Sequence, residues 1–222
     1  MSRSILQPLI ATVALAAGVA AAHAAPLTVT SYDTPNGDGT AHLGTYNYWD
    51  VTYDGQGNVH RDGLSGGFLH GGTGALTDGV ISTEPWNAVS NSNGTGEYVG
   101  WRGSPTITFH FADSVTIDSI KLYVDDSNIG GVTSPGAIAV NGTQYDNNDY
   151  PLYFGGQQTI TLDDLDIVGN TVKLKLLNPT SWVFVSEIQF FGTASAVPES
   201  GNLAMMLAGL GLLGWASRRR RA

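Results

Sequence analysis

Residues 97–124, EYVGWRGSPTITFHFADSVTIDSIKLYV, decide the fold. Ile107, Phe109 and Phe111 alternate with Thr106, Thr108 and His110. That period of two marks a strand with one buried face. Ala112-Asp113-Ser114 reads as a short polar connection, and a second apolar series begins at Val115 and Ile117. Beyond Asp118-Ser119 the phase shifts, and Ile120, Leu122 and Val124 become the apolar positions. A one-residue phase change inside a strand predicts a β-bulge there. The stretch predicts an antiparallel hairpin, and the other segments pack around it.

Outward from this centre, residues 27–32 (LTVTSY) and 46–53 (YNYWDVTY) read as strands, with a turn region over 33–42 between them. Residues 61–79 are glycine-rich and read as one long loop. On the C-terminal side, Asn141-Gly142 between residues 136–140 and Gln144-Tyr145 is a strong two-residue hairpin signal. Residues 158–162, 171–177 and 182–191 complete the set. Short strand signals separated by turn clusters, without a helical period, predict an all-β sandwich or barrel.

The two ends read as addresses. Met1 to Ala24 has one positive charge (Arg3), an apolar run from Leu9 to Ala22, and Ala22-His23-Ala24 as an A-x-A cleavage site, the order of a secretory signal peptide. At the other end, residues 201–216 are apolar apart from Asn202, and Arg218, Arg219, Arg220 and Arg221 follow. As a helix these residues would rise roughly 24 Å, a little short of the ~30 Å hydrocarbon layer, with the arginines on the cytoplasmic side. Three parts follow: 1–24 signal peptide, 25–196 a single β-sandwich domain, and 197–222 a sorting segment.

The 222 residues carry a formal net charge of −9, and the body alone is more acidic, with five basic against eighteen acidic residues. This argues against nucleic acid and anionic membranes as partners and suits a cation or a neutral ligand. The chain has no cysteine, which excludes thiol catalysis and thiolate metal sites. An exported domain without disulfides must be held by its core and by any metal it binds.

The tail resembles the PEP-CTERM sorting signal: Val197-Pro198-Glu199-Ser200, an apolar segment, then Arg218 to Arg221. Ser200 stands where that family has proline. The resemblance implies processing by an exosortase in the inner membrane, which the chain would occupy only transiently. The mature protein would reach the cell surface or extracellular matrix, or stay membrane-anchored in the periplasm if unprocessed. The body resembles the discoidin (coagulation-factor type C, galactose-binding-like) domains, on Leu76-Thr77-Asp78-Gly79, on Thr106 to Val124, and on Ser186-Glu187-Ile188-Gln189-Phe190-Phe191-Gly192. That implies a discoidin-like jelly-roll β-sandwich. The segment before Leu76 is longer than usual in that family, and the cysteine pair of many animal members is missing.

The resemblance also implies a structural calcium where the early turn meets the last strand, with Asp78 and Glu187 as ligands. Calcium takes six to eight oxygens from carboxylates and carbonyls, and Thr83 and the glycine-rich loop are further donors. The alternative is that Asp78 caps a turn and Glu187 is a surface charge. In this fold a ligand sits on loops at one end, where a sugar needs an aromatic face and a few polar groups. The candidates are Trp86, Arg102, Asn128 and Tyr145, with Tyr150 beside them. Trp49, Trp101 and Trp182 lie in strand-like runs and read as core. His60 and His70 read as solvated loop residues, with a metal or hydroxyl contact as the alternative.

Asp125-Asp126 and Asp163-Asp164 are the closest carboxylate pairs, but neighbours on a strand point to opposite faces, so they read as solvated loop residues. No Gly-x-Ser-x-Gly, His-Glu-x-x-His or phosphate loop occurs, and no catalytic residue is assigned. The reading is an exported, non-catalytic protein that binds a carbohydrate of the extracellular polysaccharide. The alternatives are a structural matrix protein without a sugar site and, third, a glycan-active enzyme.

Overall fold

The structure is a computed structural model that describes residues 24–41, 45–57, 67–90, 96–146, 148–149, 155–178, 182–194 and 210. The signal peptide up to His23, including Ala22, lies outside these residues, as do His60, Tyr150, Val197, Pro198, Glu199 and Arg218 to Arg221. Among the described residues no helix is long and apolar enough to cross a membrane.

The quoted stretch does not reverse on itself. It contains one twenty-residue strand, β7 (Thr106–Asp125). A tight hairpin needs positive φ at its tip, and no residue from Ser104 to Ser127 has it. Ala112 to Ser114 stay extended and exposed, so the polar break is a solvated crossing between two sheets. The bulge is where the phase change places it. Gly192 faces Ile117 and Phe191 faces Ser119, which leaves Asp118 as the extra residue.

The two halves of β7 share one neighbour and differ in the others. The first half lies between β2 (Ser31–Pro35) and β11 (Ile167–Leu177), and β11 continues to β8 (Ala137–Val140) and β9 (Thr143–Asp146). Of the second half, Val115 to Ile117 lie between β11 and β12 (Trp182–Ala194), and Ile120 to Val124 between β10 (Gln157–Leu162) and β12. β12 also pairs with β6 (Val99–Arg102) and β1 (Ala25–Leu27), and β5 (Phe68–Gly72) extends the first sheet beyond β2. All these ladders are antiparallel. The buried faces meet across the sandwich, with Phe109 of the first sheet 4.9 Å from Phe190 of the second by ring centroids. One core runs through both, built from Ile107, Phe109, Ile120, Leu122, Leu174 and Phe190 among others.

The hairpin β8–β9 turns at Asn141 (φ 48°) and Gly142 (φ 95°), as its dipeptide predicts. The run 46–53 departs from expectation. Only β4 (Tyr46–Asn47) is strand, pairing with β3 (Thr40–Ala41). Beyond it side chains take the backbone bonds that a ladder would need. The Asn47 amide bonds both backbone groups of Trp49, at 3.2 and 3.3 Å, and Asn36 Oδ1 accepts the Asp50 N–H at 2.8 Å. Asp50 is fully buried and accepts from the Tyr32 hydroxyl and, at 3.1 Å, from the Ala75 N–H. Residues 27–32 likewise divide between the end of β1 and the start of β2, and the glycine-rich 61–79 contains β5.

Candidate functional site

At the end of the sandwich where β12 begins, aromatic residues from three segments converge on a concavity of about 270 Å³. Tyr46 and Tyr48 come from β4 and the residue after it, and Trp182 and Phe184 from β12. Trp86 comes from α1 (Trp86–Val89), a single helical turn entered through Pro85. Both i, i+2 pairs present two rings to one side. Tyr48 meets Phe184 edge-on at 5.0 Å, Tyr46 meets Trp86 edge-on at 5.0 Å, and Tyr48 lies 5.1 Å from Trp182. Such tilted pairs add roughly 0.5–1.5 kcal/mol each beyond the area they bury. Trp86, Tyr48 and Phe184 form the floor, and Tyr46 and Trp182 are half-buried at the mouth.

Each wall is pinned. The Trp86 N–H donates to Asp125 Oδ2 at 2.6 Å, and its indole Nε1–H donates to the Ile129 carbonyl at 3.0 Å. Asp125 Oδ1 accepts the Ser127 N–H at 2.7 Å, while Asp126 accepts from Ser134 (2.8 Å) and Gly155 (3.4 Å). These two carboxylates are therefore buried anchors of the loop that walls the site, not solvated loop residues. Trp182 is fixed from the other side, because its carbonyl accepts the Thr133 N–H at 2.9 Å. Gly100 backs the floor at a point where a Cβ would lie 2.5 Å from the Phe184 ring. Asn87 lines the concavity, and its buried Oδ1 has no hydrogen bond among the described residues.

The sequence-derived binding candidates divide. Trp86 is 5% exposed and forms part of the floor. Arg102 is exposed at the end of β6, directly across the ladder from Trp182. Asn128 (φ 59°) precedes the Ile129–Gly131 turn that forms one lip. Tyr145 stands apart on β9 and packs on the main core. Sequence reasoning missed Tyr46 and Tyr48 and assigned Trp182 to the core. The alternation Tyr-x-Tyr and Trp-x-Phe was a signal for a shared aromatic face. Trp49 (0% exposed) and Trp101 (2%) are core as expected.

Asp78 and Glu187 meet in a second concavity of about 360 Å³ between the early turn, β12 and residues 26–29. A bulge in β12 at Ser186 turns Glu187 inward to 4% exposure. Its Oε2 accepts the Gly79 N–H at 3.1 Å, and Asp78 Oδ1 accepts the Val80 N–H at 2.8 Å. Burial pushes the Glu187 carboxyl from 4.5 up to about 7, with the Gly79 N–H opposing and the Asp78 carboxylate adding to the rise. Burial raises Asp78 as well. Thr77 Oγ1 lines the same concavity and, among the described residues, has no partner. Two carboxylates and an unpaired hydroxyl suit an oxygen-seeking cation, although the described residues hold no cluster of three or more acidic or histidine side chains.

This architecture, a two-sheet antiparallel sandwich with a site in the loops at one end, defines an all-β module of the discoidin type. Residues 28–192 match the family model of the discoidin domain-containing receptor 1/2 DS-like domain, and the chain belongs to that family. Among solved structures it is similar to a fucose-binding module of Streptococcus pneumoniae, at 15% identity over 66% of this chain and 96% of that one, with a TM-score of 0.36. It is also similar to a fucolectin from the serum of striped bass, Morone saxatilis, at 11% identity over 76% and 79%, with a TM-score of 0.34. A third is a His 62 mutant of the lectin-binding domain of lectinolysin complexed with Lewis b, at 11% identity over 53% and 80%, with a TM-score of 0.34. No curated protein matches the chain.

Proposed function

We propose that the chain is a non-catalytic carbohydrate-binding protein of the cell exterior whose sugar site is the aromatic concavity at the start of β12. The observation that carries this reading is the convergence of two half-buried rings, Tyr46 and Trp182, over a rigid aromatic floor. A pyranose presents one apolar C–H face, which stacks on such rings, and hydroxyls, which need a few fixed polar groups. Asn87 Oδ1 can accept from a hydroxyl, and the Arg102 guanidinium, one strand away, can donate to one. The closest carboxylate pairs are otherwise engaged. Asp125 and Asp126 hold backbone N–H groups, and Asp164 (φ 56°) shapes the β10–β11 turn.

Asp78, Glu187 and Thr77 would hold a calcium ion, whose part is to tie the early turn to β12. The ends carry the export half of the proposal. A cleaved leader and a PEP-CTERM-type tail would deliver the domain to the surface or matrix, where an extracellular polysaccharide is its partner. The test of the sugar site is retention of the full-length chain on an array of neutral mono- and oligosaccharides, beside Trp182→Ala. The proposal expects saturable retention by the wild type and about tenfold weaker binding by the variant, as loss of one stacking platform implies, in a variant that still unfolds cooperatively though at a lower temperature. Equal retention by the two overturns it.

A further inference from the structure

The outer face of the first sheet carries a feature that the aromatic site does not use. Lys173 and Lys175 are exposed and alternate with buried Val172, Leu174 and Leu176 on β11, so both project outward. With Thr106, Ala139, Asn141 and Gly142 they line a shallow, open concavity of about 300 Å³. The position of Lys173 is fixed by a reciprocal pair: its N–H donates to Asn141 Oδ1 and its carbonyl accepts the Asn141 N–H, both at 2.9 Å. The ladders set Thr106 and Ala139 on either side of Lys175, and Thr108 beside Lys173. Every immediate cross-strand neighbour is small and uncharged.

Neither lysine has an ion-pair partner among the described residues. The registers place Asp33 and Asp146 on this face, each two strands from β11, or roughly 10 Å at the usual strand spacing. Both are engaged. Asp33 holds His110 Nε2 at 2.8 Å and the Gly71 N–H at 3.1 Å, and Asp146 accepts from the Asn148 N–H at 2.9 Å. Two of the body's five basic residues thus sit together, without an ion-pair partner among the described residues, on a domain with eighteen acidic ones. The surrounding negative field disfavours general attraction of polyanions, so an anion held here is held by local contacts.

We propose that this face binds the carboxylate groups of an acidic polysaccharide. The two ammonium groups pair with uronate carboxylates along an extended chain, and the Thr106 hydroxyl and Asn141 amide take sugar hydroxyls. The open concavity, lined from β7, β8, its turn and β11, suits a polymer lying across the sheet rather than an enclosed small ion. The site is independent of the aromatic concavity and of calcium.

The test is binding of the full-length chain in detergent to immobilised alginate, with dextran as neutral control and EDTA present to remove calcium bridging. The wild type is expected to hold alginate saturably and to release it as salt rises. K173Q/K175Q is expected to bind about tenfold more weakly, the effect of two exposed ion pairs. K173R/K175R is expected to bind like the wild type, and Trp182→Ala to keep its alginate binding even if neutral-glycan retention is lost. Three results overturn the proposal: no alginate binding by the wild type, wild-type binding by K173Q/K175Q, or DNA held as tightly as alginate through the same lysines.

Discussion

Glu187 makes the stability of this domain depend on pH in the direction opposite to that of most carboxylates. Its folded-state value of about 7 lies above the ordinary 4.5 because the β12 bulge buries it beside Asp78. The native state therefore binds more protons than the unfolded one between those values, and stability falls as pH rises. It is fully retained below about pH 4.5 and lost progressively until the folded carboxyl ionises near pH 7. From about pH 5 to about pH 8 the loss is about 2.5 kcal/mol, taking 1.36 kcal/mol per decade. For a chain of this size that is a fall in Tm of roughly 5–10 °C. The assay is thermal unfolding of the full-length chain in EDTA at both pH values, beside Glu187→Gln, which keeps an acceptor for the Gly79 N–H but cannot ionise. The wild type should lose its advantage over the variant as pH rises. Calcium at the higher pH should restore Tm in the wild type and not in the variant, because the cation favours the ionised carboxylate. A difference between wild type and Glu187→Gln that is independent of pH would mean that ionisation of Glu187 does not set the stability. A pH effect without a calcium effect leaves the electrostatics standing and removes the metal.

Two further substitutions test the walls of the aromatic site. Gly100→Ala places a methyl group 2.5 Å from the Phe184 ring and should cost about 1–3 kcal/mol by overpacking, read as a lowered midpoint in urea unfolding. Asp125→Ala leaves the N–H groups of Trp86 and Ser127 without their acceptor. It should cost about 1–3 kcal/mol and weaken glycan retention through displacement of Trp86, while Asp163→Ala, in the β10–β11 turn, leaves both unchanged.

The strands that alternate cleanly were legible in the sequence. Ile107 to Phe111, the Asn141-Gly142 hairpin and Val172 to Leu176 each have a period or turn dipeptide with one physical meaning, and the bulge at Asp118 followed from the phase of its neighbours. The reversal predicted at Ala112 to Ser114 failed because polarity marks solvent, not direction, and three polar residues can cross between sheets while extended. The strand predicted over 46–53 failed because Asn36, Asn47 and Asp50 replace ladder bonds with side-chain bonds, which composition does not reveal. Asp78 and Glu187, far apart in the chain, line one concavity, which neither local segment reveals. The aromatic site was half visible. Trp86 was singled out, but only packing shows that it forms the floor and that Trp182 and Tyr46 form the mouth. Nothing local in Asp125-Asp126 indicated that both carboxylates are buried, because their partners lie far away in the chain.

The proposed sugar site is the set of rings at the start of β12. The most direct measurement is tryptophan fluorescence of the full-length chain titrated with the oligosaccharide it retains best on a neutral-glycan array, in wild type and Trp182→Ala. A saturable change is expected in the wild type, and in the variant a binding constant weakened by about tenfold with a cooperative melting transition. Saturable binding of equal strength in a folded Trp182→Ala protein would contradict it and place the sugar elsewhere on the sandwich.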